Sequence, residues 1–319
     1  MKIVVLDGYA LNPGDLDWNG IGALGELIVY DRTQNTTEAI LAAIEDAAIV
    51  FTNKTILSAE VLRNAPALKY IGVLATGYNI VDFNHAREQG IVVTNVPDYG
   101  TAAVAQFAMG MLLQLCHRIG EHSLAVHSGE WTLCPDFCFW NFPLIELTGK
   151  TIGIIGYGKI GKKMAQIAKS FGLQILVHTR TENSEQDVGK FVSFETLLRT
   201  SDIITLHCPL TEETNGFINK KTIQKMKTGV LFVNTARGAL VVEEDLKESL
   251  LNGKIAGAAL DVVSTEPMQK DNPLRGLVNC IITPHIAWAT KEARMRLMTT
   301  ATENLKAYLN GKPVNVVVS

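Results

Sequence analysis

Short apolar segments alternate with amphipathic segments along the first 95 residues of the chain. The apolar runs have the length of buried strands, and they are Lys2–Leu6, Ala48–Thr52, Tyr70–Leu74 and Ile91–Thr94. Helical patterns such as Thr37–Glu45 and Ser58–Asn64 lie between them. Buried strands that alternate with helices are typical of a parallel sheet covered on both faces. This region is therefore predicted to form one α/β unit.

A second series of the same kind begins at Lys150. Its predicted strands are Thr151–Ile155, Gln174–His178, Ile203–His207, Val230–Asn234, Gly257–Val262 and Cys280–Thr283. Its predicted helices are Lys159–Phe171, Phe194–Arg199, Asn219–Met226 and Glu243–Leu251. The last helical pattern, Thr290–Leu309, is expected to pack back on the first unit and to make that unit discontinuous. The pattern thus predicts two α/β domains.

A long apolar helix and an aromatic segment connect the two series. The helix, predicted over Thr101–Arg118, is apolar on most of its surface, which indicates burial between domains or subunits. Residues 127–142 are aromatic and irregular in pattern, and they are predicted to form an arm at a dimer contact. This arm contains Cys134 and Cys138, but no second pair of Cys or His follows at ligand spacing. We therefore predict no metal site.

The composition narrows the class of protein. The 319 residues are 47% hydrophobic with a net charge of −3, and Lys and Arg never form a run longer than two. These features argue against nucleic acid or an anionic membrane surface as the main partner. No apolar stretch approaches the roughly 20 residues of a membrane helix. Five cysteines in a chain of this length do not form a disulfide framework, so we expect a cytoplasmic globular protein.

A glycine-rich turn follows the first strand of the second series. Gly156, Gly158 and Gly161 form a G-x-G-x-x-G motif between a predicted strand and a predicted helix. In this context the glycines permit a tight turn, close approach of the backbone to a pyrophosphate, and packing of helix on sheet. The N-terminus of the helix offers N–H groups to the phosphates. The motif predicts a dinucleotide site.

The next predicted strand carries information on the type of dinucleotide. A site for a free ribose 2′-hydroxyl usually has Asp or Glu at the end of this strand, and here Thr179 and Arg180 follow His178 instead. A guanidinium suits a 2′-phosphate in charge and geometry. Arg180 can also be a solvated residue that stacks on adenine. The sequence slightly favours NADP(H) over NAD(H), with dual use left open.

Three later strands end in side chains suited to acid–base or anion chemistry, namely Arg237, the pair Asp261 and Glu266, and His285. Ligands bind beyond the carboxyl ends of the strands in open α/β sheets. These four side chains are therefore expected to converge beside the dinucleotide. Each also has an ordinary structural interpretation when taken alone, and the spacing by itself leaves both interpretations open.

In combination, these motifs resemble the D-isomer-specific 2-hydroxyacid dehydrogenases, and the similarity runs from about Ile49 to Val314. It rests on the glycine loop, on Asn234–Gly238 and on Thr283–His285 preceded by Glu266-Pro267. Within the family, the segments Asp136–Trp140 and His285–Thr290 are most similar to bacterial glycerate dehydrogenases, also called hydroxypyruvate reductases.

The resemblance implies an NAD(P)-dependent oxidoreductase with two Rossmann-like domains and the active site in the cleft between them. The substrate-binding domain would comprise residues 1–97 plus 288–319, and the dinucleotide-binding domain residues 98–287. A homodimer would reduce hydroxypyruvate or glyoxylate to the D-2-hydroxy acid and catalyse the reverse oxidation. Pyruvate or a branched 2-oxo acid is the alternative substrate, and a non-catalytic dinucleotide-sensing corepressor or scaffold is the alternative function.

The resemblance also implies roles for individual residues. Arg237 would hold the substrate carboxylate and 2-oxo group, His285 would be the general acid/base, and Glu266 would orient the imidazole. The residues expected to contact the dinucleotide are Gly156, Gly158, Lys159, Ile160, Gly161, Thr179, Arg180, Cys208, Pro209, Thr214, Thr235, Ala236, Asp261, Ala287 and Thr101. The residues expected to contact the substrate are Ala75, Thr76, Gly77, Arg237, His285 and Trp288.

Several positions depart from the family pattern. Thr179 replaces the usual acid, and Gln106 stands where many members carry glutamate. Trp288 stands where small residues are common, and its indole is expected either to close the substrate pocket or to pack between the domains. Lys54 is expected either to face the cleft or to be solvated.

Overall fold

The computed structural model describes residues 1–180 and 188–318 of the chain. These residues form two compact units. The first unit comprises Met1–Gly100 with Ala289–Ser319, and the second comprises Thr101–Trp288. The predicted division placed its boundaries at 97/98 and 287/288. The roles predicted for the two domains, substrate binding and dinucleotide binding, stay predictions at this point.

Strands and helices alternate through most of both units. In chain order the strands are β1 (Lys2–Val5), β2 (Glu26–Val29), β3 (Ile49–Thr52), β4 (Tyr70–Val73), β5 (Val92–Thr94), β6 (Thr151–Ile155), β7 (Gln174–His178), β8 (Lys190–Phe191), β9 (Ile203–Leu206), β10 (Val230–Asn234), β11 (Ile255–Leu260), β12 (Cys280–Ile282) and β13 (Val316–Val318). The α-helices are α1 (Asn19–Gly22), α2 (Thr37–Ile44), α3 (Ala59–Arg63), α4 (Phe83–Glu88), α5 (Thr101–His117), α6 (Ile119–His127), α7 (Glu130–Leu133), α8 (Lys159–Ser170), α9 (Phe194–Thr200), α10 (Lys220–Lys225), α11 (Glu243–Leu251) and α12 (Lys291–Leu309).

The first unit is a sheet with helices on both faces. Its strand order is β13-β5-β4-β3-β1-β2, in which β1 to β5 are parallel and β13 is antiparallel to β5. Side chains of α2 and α3 pack on buried strand residues such as Val50 and Ile71 to form the core. On the other face α12 contacts β4, where the rings of Tyr70 and Tyr308 lie 4.7 Å apart. The predicted parallel sheet is confirmed, with an antiparallel edge strand added.

A carboxylate occupies the point where the strand order of the first sheet reverses, between β1 and β3. Asp7 follows β1 and accepts the main-chain N–H groups of Asn53, Lys54 and Thr55 at 2.5 to 2.8 Å. In doubly wound sheets this reversal is the usual ligand-binding position. Here the Asp7 carboxylate already accepts the main-chain N–H groups that would otherwise be available to bind an anionic ligand.

The second unit is a parallel sheet in the order β12-β11-β10-β9-β6-β7-β8. One core lies on the face covered by α5 and α8, and another on the face covered by α9, α10 and α11. Counted from β6, this is the strand order of a Rossmann fold, whose direction reverses between β6 and β9. The fold class predicted from the sequence is therefore confirmed. The reversal sets the loop after β6 beside the segment after β9.

Most predicted elements occur within one or two residues of their predicted limits, and the differences are local. Residues 127–142, predicted to be irregular, include the end of α6 and the short helix α7. The exposed edge strand β2 and the helix α4 were not predicted. All five cysteines are free thiols. Along the described part of the chain, no helix combines the length and apolar character that spanning a membrane requires.

Candidate active site

The glycine loop after β6 is shaped by close main-chain contacts. Gly156 has a φ of +95°, and a Cβ atom there would lie 2.5 Å from the main-chain nitrogen of Cys208. A Cβ on Gly161 would lie 2.1 Å from the Gly156 carbonyl oxygen. Both positions therefore require glycine for the fold itself.

Gly158 differs from its two neighbours in the motif. A Cβ atom on Gly158 would have no described protein atom within 4 Å. Glycine is therefore not needed there for packing, which leaves room for a ligand. Gly158 is the N-cap of α8, whose first two residues are Lys159 and Ile160. As a glycine it offers no side chain to the N–H groups in the first turn of that helix. Such a terminus binds phosphate groups, so the loop fits the pyrophosphate of a dinucleotide.

A buried hydroxyl near the same edge of the sheet gives a second sign of a ligand. Thr235 follows β10 and is 9% exposed, and its Oγ1 has no hydrogen-bond partner among residues 1–180 and 188–318. A buried polar atom without a partner costs free energy, so a bound group that accepts or donates there would be stabilised. Together with the open space at Gly158, this hydroxyl indicates that the residues present fit a dinucleotide.

The other predicted dinucleotide contacts lie on the segments that follow β7, β9 and β10. Thr179 is partly buried and Arg180 is exposed directly after β7, while Pro209 is exposed after β9. Burial raises the pKa of the Cys208 thiol to about 11, which makes it unreactive at neutral pH. The main-chain N–H of Ala236 donates to Asn234 Oδ1 at 2.9 Å, which fixes the turn after β10.

Two further residues have weaker connections to this site. Thr214 Oγ1 accepts the N–H of Thr211 at 2.7 Å and donates to the Pro209 carbonyl at 2.9 Å, so it shapes the loop. Thr101 is the first residue of α5, which packs on α8. The roles of both residues toward a dinucleotide stay predictions.

His285 and Glu266 are directly bonded. The Nδ1 atom of His285 lies 2.6 Å from Glu266 Oε2, and Glu266 Oε1 accepts the N–H of Val263 at 3.2 Å. Both side chains are about one third exposed, at 30% and 37%. Because Nδ1 donates to the carboxylate, Nε2 is the ring nitrogen that can carry and release a proton. The pair has the geometry of a general acid/base with its orienting group.

Asp261 anchors the turn that carries His285. Its carboxylate accepts three hydrogen bonds at 2.6 to 2.9 Å, from the hydroxyl of Thr283 and the N–H groups of Ile286 and Ala287. Asp261 is 1% exposed. The sequence predicted contacts of Asp261 and Ala287 with the nicotinamide carboxamide, and those contacts stay predictions. The structure adds that the two residues bind each other.

Arg237 lies on the neighbouring strand end. Asn234 Nδ2 donates a hydrogen bond to the Arg237 carbonyl at 2.9 Å. The Arg237 guanidinium donates to the Ala236 carbonyl at 2.8 Å. A Cβ on Gly238 would lie 1.9 Å from the carbonyl carbon of Val263, so the two main chains touch. Since β10, β11 and β12 are adjacent, the residues that follow them share one edge of the sheet.

Glu243, which the sequence did not single out, holds the loop that carries Glu266. Its carboxylate accepts the N–H and the hydroxyl of Ser264 at 2.7 and 2.9 Å and the amide of Asn272 at 2.9 Å. Glu243 is one of three acidic residues in the first turn of α11. Acidic residues are common there because they interact favourably with the helix dipole, so the sequence offers no reason to assign Glu243 a further role.

In the first unit, the predicted substrate loop Ala75–Gly77 is held by asparagines. Asn95 Nδ2 donates to the Thr76 carbonyl at 2.8 Å, and the Thr76 hydroxyl donates to the Val96 carbonyl at 2.9 Å. Asn304 on α12, only 1% exposed, donates to the Asn95 carbonyl at 2.9 Å. An amide at a core position of α12 is the one sequence signal that points to this network.

Within the described ranges, no group of three or more His, Cys, Asp or Glu side chains is arranged to hold a metal ion. The groups that the site does offer are a proton donor at His285, the guanidinium of Arg237 and the glycine loop after β6.

Comparisons with known proteins identify relatives of the chain. The sequence profile described as "D-isomer specific 2-hydroxyacid dehydrogenase, NAD binding domain" matches residues 109–287. The chain is 56% identical to the hydroxypyruvate reductase of Blautia hydrogenotrophica, over 99% of both chains. It is 38% identical to the glycerate dehydrogenase of Methylorubrum extorquens, over 99% of this chain and 98% of the relative.

Among solved structures, the chain is similar to an acyclic imino acid reductase in complex with NADPH and D-Arg. That structure has a TM-score of 0.87 and 31% sequence identity, with full coverage of both chains.

Proposed function

Because the chain belongs to the D-isomer-specific 2-hydroxyacid dehydrogenase family, we propose that it reduces hydroxypyruvate to D-glycerate and catalyses the reverse oxidation. The observation that carries the proposed reaction is the 2.6 Å bond between His285 Nδ1 and Glu266. The choice of substrate is supported by the 56% identity with a hydroxypyruvate reductase over nearly the whole chain.

The residues of the second unit supply the proton and the charge. When bound, the reduced dinucleotide supplies the hydride for C2 of the substrate. Arg237 binds the carboxylate and the 2-oxo oxygen, and a guanidinium stabilises the negative charge that develops on that oxygen. His285 transfers the proton on Nε2 to the same oxygen, which becomes the 2-hydroxyl. Glu266 stabilises the imidazolium until the proton has left. One hydride and one proton are consumed for each glycerate.

The loop Ala75–Gly77 is the second part of the proposed substrate site. Main-chain N–H groups at Thr76 and Gly77 bind the substrate carboxylate, and the bonds from Asn95 and to Val96 support this role because they fix the loop. A rigid loop binds an anion at a lower entropic cost than a mobile one.

NADP(H) is the preferred dinucleotide in our proposal. Thr179 and Arg180 follow β7 at the position where an acid would select the free 2′-hydroxyl, and a relative of the same fold was solved with NADPH. The substitution Arg180→Ala is expected to lower the ratio of kcat/KM for NADPH to that for NADH by about tenfold or more, since a charge-assisted hydrogen bond is lost. Arg180→Lys keeps the charge and is the matched control. An unchanged ratio in Arg180→Ala would exclude this role.

The central experiment is His285→Ala. Loss of a general acid is expected to reduce kcat for hydroxypyruvate by about 100-fold to 10,000-fold, while the dissociation constant of the dinucleotide stays close to that of the wild type. Near wild-type kcat in the variant would refute the assignment. For the wild type, kcat/KM is measured with hydroxypyruvate, glyoxylate and pyruvate. Tight dinucleotide binding without turnover of any of them would instead indicate a sensor.

We further propose that the enzyme is a cytoplasmic homodimer. Residues 119–144 present several strongly exposed apolar side chains, among them Leu124, Leu133, Phe137 and Trp140. Exposed apolar patches of this kind mark protein interfaces, and five free thiols suit a reducing compartment. Light scattering of the purified protein tests the dimer, and the mass of a monomer would exclude it.

A further inference from the structure

The turn that carries His285 holds an unusual backbone conformation. His285 has a φ of +56°, in the left-handed region that residues with a side chain seldom adopt. Its N–H donates to the Thr283 carbonyl at 2.9 Å, which closes a tight turn around Pro284. A conformation of this kind persists only where surrounding contacts determine it, and such positions concentrate at functional sites. The contacts that fix this turn therefore matter for the position of the imidazole.

Both polar ends of one peptide unit in this turn are bonded to side chains. The peptide between His285 and Ile286 has its N–H bonded to Asp261 Oδ1 at 2.9 Å. Its carbonyl, on His285, accepts the indole Nε1–H of Trp288 at 2.9 Å. A peptide plane held at one end can still tilt about that bond, whereas a plane held at both ends cannot. The orientation of the His285 Cα–Cβ bond follows from the orientation of this plane.

We propose that Trp288 is a positioning residue for His285, acting through the indole hydrogen bond to the His285 carbonyl. The inference rests on the proposed function, because it requires His285 to be the acid/base. Asp261 fixes the N–H end of the peptide, Trp288 fixes the carbonyl end, and Glu266 fixes the ring at Nδ1. These three attachments together define where Nε2 delivers its proton, and general acid catalysis is sensitive to that position.

The test removes the N–H and keeps an aromatic ring. Trp288→Phe is expected to lower kcat for hydroxypyruvate reduction by about threefold to tenfold, the range that one hydrogen bond corresponds to, without changing the dissociation constant of NADPH. Trp288→His is the conservative variant, because imidazole Nε2–H can take the place of indole Nε1–H, and it is expected to restore most of kcat. An unchanged kcat in Trp288→Phe would overturn the proposal.

A double-mutant cycle separates positioning from a direct contact with substrate. If Trp288 acts only through His285, Trp288→Phe has no further effect on the residual rate of His285→Ala. If it lowers that residual rate by the same factor as in the wild type, Trp288 acts independently of His285, for example as a pocket wall, and the proposal is wrong. Wild-type kcat in His285→Ala alone would refute the proposed function, which is a distinct outcome.

A matched control comes from a second tryptophan of the same unit. The indole of Trp131 also donates to a main-chain carbonyl, that of Phe137 at 3.1 Å. Trp131→Phe therefore removes the same type of bond from a turn that carries no catalytic residue. At equal oligomeric state, it is expected to leave kcat unchanged. A decrease equal to that of Trp288→Phe would mean that the loss is not specific to the His285 turn, and would overturn the proposal.

Discussion

His207 makes the second unit sensitive to mild acid. It directly follows β9, at the point where the sheet order reverses, and its N–H donates to the Ile155 carbonyl at 2.7 Å. Its ring Nε2 lies 3.0 Å from Thr205 Oγ1. Desolvation lowers the pKa of this imidazole to about 4, so it is neutral in the folded protein at neutral pH. Part of the residue reaches the surface, but the ring is desolvated, so protonation requires either unfolding or a poorly solvated imidazolium in the folded protein.

The size and direction of the effect follow from the two states. In the unfolded chain the same imidazole has its ordinary pKa of 6.5. Above that pH both states are neutral, and the group does not affect stability. As the pH falls from 6.5 toward 4, the unfolded state binds a proton that the folded state does not, and the free energy of unfolding decreases. At 1.36 kcal/mol per pH unit the loss is about 2 kcal/mol at pH 5 and about 3 kcal/mol at pH 4.

Urea unfolding of the wild type and of His207→Asn between pH 7.5 and 5 measures this loss. Asparagine cannot titrate, and the other histidines contribute equally to both proteins. Tryptophan fluorescence reports mainly on the second unit, which contains Trp131, Trp140 and Trp288 but not Trp18. The pKa of Asp15 is lowered from 3.8 by its hydrogen bond with Arg294, so its contribution is lost only below this pH window.

The expected result is a difference in pH dependence and not in absolute stability. The wild type should lose about 2 kcal/mol more than His207→Asn between pH 7 and pH 5. Parallel loss of stability in both proteins would show that His207 is hydrated and titrates normally, and would refute the reasoning.

Two further predictions concern the dinucleotide loop and the substrate loop. Gly161→Ala places a Cβ against the Gly156 carbonyl and is expected to lower the free energy of unfolding in urea by about 1–3 kcal/mol. Gly158→Ala is expected to keep full stability but to bind NADPH more weakly. Equal stability of the two variants would contradict the packing argument. Asn304→Leu leaves the Asn95 carbonyl without its donor and loosens the substrate loop, so KM for hydroxypyruvate should rise severalfold with NADPH binding unchanged. An unchanged KM would show that the loop does not depend on α12.

Much of the second unit follows from local pattern. The strands β7 and β10 and the helix α11 begin and end at their predicted residues, because apolar runs of strand or helix length are bounded there by turn-forming residues. The same reasoning missed β2, whose residues are half exposed at a sheet edge and lack a continuous apolar run. It also missed β13, because this strand is only three residues long and its antiparallel pairing with β5 depends on contacts with residues far away in the chain.

The candidate site also combines residues that the sequence reveals with contacts that it does not. The glycine loop and the strand-end residues Arg237, Glu266 and His285 are visible in the sequence because each stands next to a recognisable element. The hydrogen bonds that hold them in place are not visible, although Asp261 itself was singled out from its position at a strand end. Asp261 reaches across to Ala287, and Asn304 reaches Asn95 over 209 positions. Hydrogen bonds of this range leave no local periodicity, and only the fold reveals them.

The discontinuity of the first unit has a consequence for translation. Residues 101–288 are a continuous stretch, so the second unit has all its elements as soon as that stretch leaves the ribosome. The first 100 residues emerge earlier, but the helix α12 that packs on β4 and the strand β13 that pairs with β5 are synthesised later. During that interval β5 is an open sheet edge, which can pair with a strand of another nascent chain. The part of the enzyme that is made first is therefore the last to be completed.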